Sequence, residues 1–269
     1  MRKISGIIHA QLSEVAPGVQ VRRPLPAPGL RHADPFLLLD HFGPEVPRQP
    51  NRIPRHPHKG FQPITLVFEG AIRHTDSLGN DTTVHDGGTQ WVNAAGGIWH
   101  AEEIGPSRET GRIHGVQLWV NLPAANKQDP PEYSAYQRAN VPEQSTADYT
   151  LRLLAGQLNG LDGPAPVKTP VVIAHLLARP HAQIALSLPD GYTAQLYVLE
   201  GRVQSAGESL EAYDLALYAD EAAQVEIRAE TDCQLLFLAG RPIQEPIASY
   251  GPFVMNTFQE IEEALRQFS

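Results

Sequence analysis

"ITLVFEGAI", residues 64–72, reads as a β-strand ending in a glutamate-glycine turn, and "AQLYVLEGRV", residues 194–203, repeats that reading later in the chain. Each is a short run of apolar, often β-branched residues closed by the same dipeptide, Glu69-Gly70 and Glu200-Gly201. The offset is 200 minus 69, or 131 residues, about half of the 269-residue chain. One architecture built twice is the expectation.

The surrounding sequence agrees. "GVQLWVNL", "VVIAHLLA", "AQIALSL", "AQVEIRAE" and "CQLLFLAG" are short, apolar or alternating, and punctuated by Gly, Pro, Asp or Asn. Strands returning at short intervals predict an all-β protein, and a jelly-roll barrel in particular. The stretch "LPAANKQDPPEYSAYQ", beginning at Leu122, is polar and proline-containing, and marks a boundary between a first domain, 1–122, and a second, 123–269. A short C-terminal helix is expected in "NTFQEIEEALRQF". Thr257 and Glu260 have capping-box spacing, and Phe258, Ile261, Leu265 and Phe268 fall on one face.

Histidines concentrate in the first half, where nine of the eleven lie before residue 121. His56 and His58 stand two apart before a β-type run, and His100 and Glu102 repeat that spacing about forty residues later. Residues two apart on a strand share a face, so each pair can offer two donors to one ion. Three imidazole nitrogens and one carboxylate oxygen suit iron, manganese, nickel, copper or zinc, and leave two positions of an octahedral ion for substrate or oxygen. Glu103 is the rival carboxylate, but alternation turns it to the other face. At the 131-residue offset His56 falls on Ser187 and His58 on Pro189, so the second barrel is expected to hold no metal.

These segments, "HPHKGF", "EGAIRHTDSLGN", "QWVNAAGGIWHAEE", "QLWVNLP" and "YGPFVMNTFQEI", resemble the pirins, iron-binding members of the cupin superfamily. The resemblance spans nearly the whole chain in the same motif order. It implies two tandem cupin domains, with the metal in the first, held by His56, His58, His100 and Glu102, and Fe(II) as the metal. Where pirins usually read His-Pro-His-Arg-Gly-Phe-Glu-Thr, this chain has Gln62 in place of an acid, which leaves Glu102 as the only carboxylate assigned to the ion.

Other residues near these motifs have structural readings at least as strong as functional ones. His74 belongs to "IRHTDSLGN", read first as a hairpin turn. Phe61, Trp91 and Trp99 could line an aromatic pocket over the metal, although large rings in a small barrel are usually core. Gln117 and His114 are read as satisfied core polar groups. Glycines 87, 88, 96 and 97 are turn and bulge glycines, since no phosphate-loop Gly-Lys-Ser/Thr follows them.

A net charge of −9 and a pI near 5.6, with no basic run, argue against binding nucleic acid directly. No signal-peptide core or membrane span is present in the sequence. The single cysteine, Cys233, cannot form an internal disulfide, and a cytoplasmic monomer is the default expectation. The resemblance implies a metal-dependent dioxygenase acting on flavonols such as quercetin; Glu102, bound to the metal through one oxygen, keeps a second oxygen that can take the 3-hydroxyl proton as base. The alternatives are an iron-dependent redox sensor that regulates a protein partner, or other cupin chemistry, such as isomerisation or decarboxylation, on a small molecule.

Overall fold

A computed structural model describes residues 1–16, 18–47, 51–220 and 222–269. It is all-β apart from two short 3₁₀ turns and the helix Phe258–Gln267. The expected double architecture is present, because among the described residues each half forms one seven-stranded and one four-stranded sheet.

In the half that carries the histidines, the larger sheet runs Glu132–Tyr136, Thr89–Asn93, Phe61–Glu69, Ile113–Asn121, Phe36–Glu45, Val19–Leu25, Gln11–Ala16. The smaller sheet runs Asn51–His58, Ile98–Gly105, Ala71–Asp76, Asp81–His85. The other half repeats this order, and Thr193–Glu200 takes the third place that Phe61–Glu69 takes in its own sheet. The Glu-Gly echo therefore marks equivalent strands. Gly70 and Gly201 turn the chain at their ends with φ of +112° and +87°, a region that side chains with a Cβ rarely adopt.

The other half is filled with apolar side chains. Strands such as Gln183–Ser187 and Gln224–Ala229 alternate exposed and buried residues, turning Ile184, Leu186, Val225 and Ile227 inward. These meet Leu153, Val172, Leu196, Leu235 and Phe237 in one continuous core.

Contacts divide the chain into two compact units: residues 12–21, 35–139 and 243–269 form one, and residues 1–11, 22–34 and 140–242 the other. These bounds differ from a single cut after Leu122, for reasons of strand pairing. Ile4–His9 hydrogen-bonds to Asp214–Tyr218, while Glu132–Tyr136 hydrogen-bonds to Thr89–Asn93, so each large sheet takes an edge strand from across the expected boundary.

The terminal helix also belongs to the histidine-bearing unit. Thr257 and Glu260 form the expected capping box, with Glu260 N–H donating to Thr257 Oγ1 and Thr257 N–H to Glu260 Oε2. Its buried residues, Ile261 and Ala264, pack on Ala248, Phe253 and Met255, with the partly buried Phe268 at its C-terminal cap. Phe258 and Leu265 flank that buried pair and are exposed, at 72% and 41%, so the apolar face is rotated from the one the sequence suggested. Among the described residues, no helix is long and apolar enough to cross a membrane.

Candidate metal centre

His56 and His58 end one strand of the smaller sheet, and His100 and Glu102 lie on its neighbour, Ile98–Gly105. Antiparallel register places His100 opposite His56, which brings residues forty-four apart in sequence onto one face. His56 Nε2 lies 3.1 Å from His58 Nε2 and 3.0 Å from His100 Nε2. Gly60, at φ +87°, makes the turn that leads out of this pair, and a Cβ there would collide with the Val254 carbonyl.

The donor set fits a metal ion. His56 Nδ1 is 2.8 Å from the Pro54 carbonyl, an acceptor only, so Nδ1 carries the proton and Nε2 presents a bare lone pair to its neighbours. Lone pairs at 3.0 Å repel unless a proton or a cation lies between them. The edge of an octahedron with bonds of about 2.1 Å is about 3.0 Å, in keeping with the observed spacing. Burial, and then the neighbouring His56, push the His58 pKa down to about 3. Burial, followed by His58, His56 and His74, holds His100 well below the usual imidazole range. Neutral rings are the form that ligates.

His100 belongs to two clusters of donor atoms, each within 4.8 Å: His56, His58 and His100 form one, and His74, His100 and Glu102 the other. Glu102 is buried at 4% exposure and held by two amides. Gln90 Nε2 donates to its Oε1, and Gln117 Nε2 to its Oε2 at 3.4 Å. Burial raises the pKa of Glu102, against the opposing pull of His74, His56 and the two glutamines.

Alternation sorts the remaining sequence candidates. Phe61 reaches the centre, with its ring 5.1 Å from His58 and 4.2 Å from Trp119, which itself lies 5.4 Å from His58. Leu37, Val254 and Ile247 extend this apolar wall. Trp99, adjacent to His100, points the other way, beneath the guanidinium of Arg55 and against Phe268. Trp91 follows Gln90 and pairs with Ile64, also on the far face. Gln62 pairs with Val120, whereas Pro63 and Thr65 pair with the cup-facing Trp119 and Gln117, so Gln62 likewise leaves the cup. Glu103 is outside, paired with Arg52 at 3.0 Å. His114 turns away and meets His41, Nε2 to Nε2 at 2.8 Å.

Four contributors were not singled out as functional in the sequence. Trp119 and Gln117 follow from alternation along Ile113–Asn121. Gln90 and Tyr133 come from strands with no motif: the Tyr133 hydroxyl donates to Gln90 Oε1 at 3.4 Å and bonds Thr82 Oγ1 at 2.5 Å.

The sequence matches the family model for pirin over residues 18–120 and that for the pirin C-terminal cupin domain over residues 173–269. A Pseudomonas aeruginosa protein named "Putative quercetin 2,3-dioxygenase" is 37% identical, with 100% of this chain and 97% of that one covered. Human pirin is 33% identical, with 93% and 87% covered. Quercetin 2,3-dioxygenase from Acinetobacter baumannii, a solved structure, superposes with a TM-score of 0.91 at 32% identity, covering 100% of this chain and 96% of that one.

Proposed function

This chain belongs to the pirin family, and from that premise we propose that it is a metal-dependent dioxygenase that cleaves flavonols such as quercetin. The observation that carries the reading is the convergence of three imidazole Nε2 atoms beside a buried carboxylate and an aromatic wall. His56, His58, His100 and Glu102 are the residues assigned to hold the metal, with Fe(II) as the ion and Mn, Ni, Cu or Zn as substitutes that the same donors accept. When bound, the metal supplies Lewis-acid and redox chemistry at the substrate oxygen.

The chain's own residues do the rest. Trp119, a partly buried ring beside His58 with the buried Phe61 packed against it, offers an apolar face to a flavonol ring system. Glu102 takes the 3-hydroxyl proton on the carboxylate oxygen that does not hold the metal. Gln90 and Gln117 hold both oxygens in place during the transfer.

The test is flavonol-dependent oxygen uptake by protein stripped of metal and reloaded separately with iron, manganese, nickel, copper and zinc, with a His56→Ala, His58→Ala double variant as control. Uptake requiring both metal and histidines is the expected result. No uptake with any metal, despite confirmed loading, overturns the reading in favour of a regulatory protein or another cupin reaction.

A further inference from the structure

His74 was expected to be a turn residue, yet it is fully buried, and both its ring nitrogens are engaged. Nδ1 lies 3.4 Å from His100 Nδ1, and Nε2 lies 2.9 Å from Asp76 Oδ2. Its ring stacks on Tyr133 at 4.2 Å with the planes only 10° apart, which fixes the ring's orientation. Asp76, two residues along the same strand, is also fully buried as a side chain.

The direction of each hydrogen bond follows from donors and acceptors alone. The Asp76 carboxylate accepts from the Leu78 amide at 2.9 Å, the Asn80 amide at 3.1 Å and the Asn80 side chain at 2.8 Å. Every other partner is a donor, so the carboxylate acts as an acceptor and His74 Nε2 supplies an N–H. In a neutral His74 ring, Nδ1 is then a bare acceptor, and the group facing it, His100 Nδ1, donates. That leaves His100 Nε2 without a proton on the edge of the ring that faces His56.

We propose that Asp76 and His74 are positioning residues that fix the tautomer and ring orientation of His100 and so prepare its Nε2 for the metal. The inference rests on the assignment of His56, His58 and His100 as ligands. It distinguishes the two clusters that share His100. The Nε2 edge faces the ion, and the Nδ1 edge faces a carboxylate-backed hydrogen-bond chain, so His74 is not a ligand and the second cluster is not a second metal position. The three imidazoles are supported differently. His56 donates to a backbone carbonyl and His100 to a side-chain chain, while His58 Nδ1 has no hydrogen-bond partner among the described residues.

The experiment is zinc affinity by chelator competition for the wild type, His100→Ala, His74→Phe and His74→Gln, together with nitrogen-15 spectra of the histidine rings in the zinc-loaded wild type. His74→Phe keeps the stack on Tyr133 and removes the acceptor, so zinc should bind about 10- to 100-fold more weakly. His74→Gln retains a carbonyl acceptor and should restore most of that loss. The spectra should show His74 protonated on Nε2 and bare on Nδ1. A wild type that fails to bind zinc, or binds it equally with His100→Ala, defeats the ligand assignment itself. If His100→Ala loses zinc but His74→Phe binds as tightly as the wild type, the positioning role is wrong. Should His74→Phe not fold, the wild-type spectra decide: a proton on His74 Nδ1 overturns the proposal.

Discussion

Glu102 and Glu103 are adjacent in sequence and face opposite sides of one strand: Glu102 is buried between two glutamine amides, while Glu103 is paired with Arg52 on the outside. Sequence alternation ranked the first above the second, and the register accounts for why two chemically equal carboxylates have different environments. One lies with the buried imidazoles of His74 and His100, and the other with an exposed guanidinium.

Glu102→Gln should therefore lower flavonol-dependent oxygen uptake at least ~100-fold, the loss expected when a general base is removed. Glu103→Gln breaks only an exposed ion pair, worth at most about 1 kcal/mol, and should leave turnover unchanged. Comparable losses in the two variants, measured on metal-loaded protein, would exclude the assignment of Glu102 as base.

Metal removal should lower thermal stability as well as activity. A ligand that binds the folded state at one hundred times its dissociation constant adds about 2.7 kcal/mol. Scanning calorimetry of stripped and reloaded protein should show a higher melting temperature on reloading, and a His58→Ala variant should lose most of that increment.

Acid should destabilise the metal-free protein through His58. Its folded pKa is about 3 against an ordinary 6.5, so between these values the unfolded chain binds more protons and stability falls with falling pH. The slope for this ring alone is about 1.4 kcal/mol per pH unit. Glu102, whose pKa is raised, acts in the opposite sense, stabilising at low pH and losing that effect as pH rises. The informative comparison is therefore wild type against His58→Gln in urea unfolding between pH 7 and pH 4, where the variant should show the shallower dependence. Parallel curves would mean that His58 is not held neutral.

Lys127 is almost wholly buried, and its Nζ donates to the carbonyl oxygens of Gly60 and Val254 and to Asn121 Oδ1 at 2.7, 3.1 and 2.7 Å. Lys127→Met keeps the aliphatic stem and leaves three buried acceptors without this donor. A loss of about 3 kcal/mol is expected in denaturant unfolding, against about 1 kcal/mol for Thr257→Ala at the helix cap.

The His-x-His pair, the His100 and Glu102 pair, the Glu-Gly echo and the capping box were legible because each depends on local spacing. His74, Gln90 and Tyr133 were not, because their roles depend on which strands become neighbours. Tyr133 lies beyond the boundary expected at Leu122 and joins the first sheet only by pairing with Thr89–Asn93. The outward course of Trp99 and Gln62 was available from alternation, since each adjoins a residue that faces the cup. The apolar composition of both faces of these strands obscured that signal, because a ring looks equally at home on either side.

Lys127 also ties distant parts of the chain together. Its ammonium group joins the carbonyls of Gly60 and Val254, 254 minus 60 or 194 residues apart, so the turn that follows the His-x-His pair is braced by the segment that leads into the terminal helix. A change in that segment is therefore transmitted to the backbone beside His58.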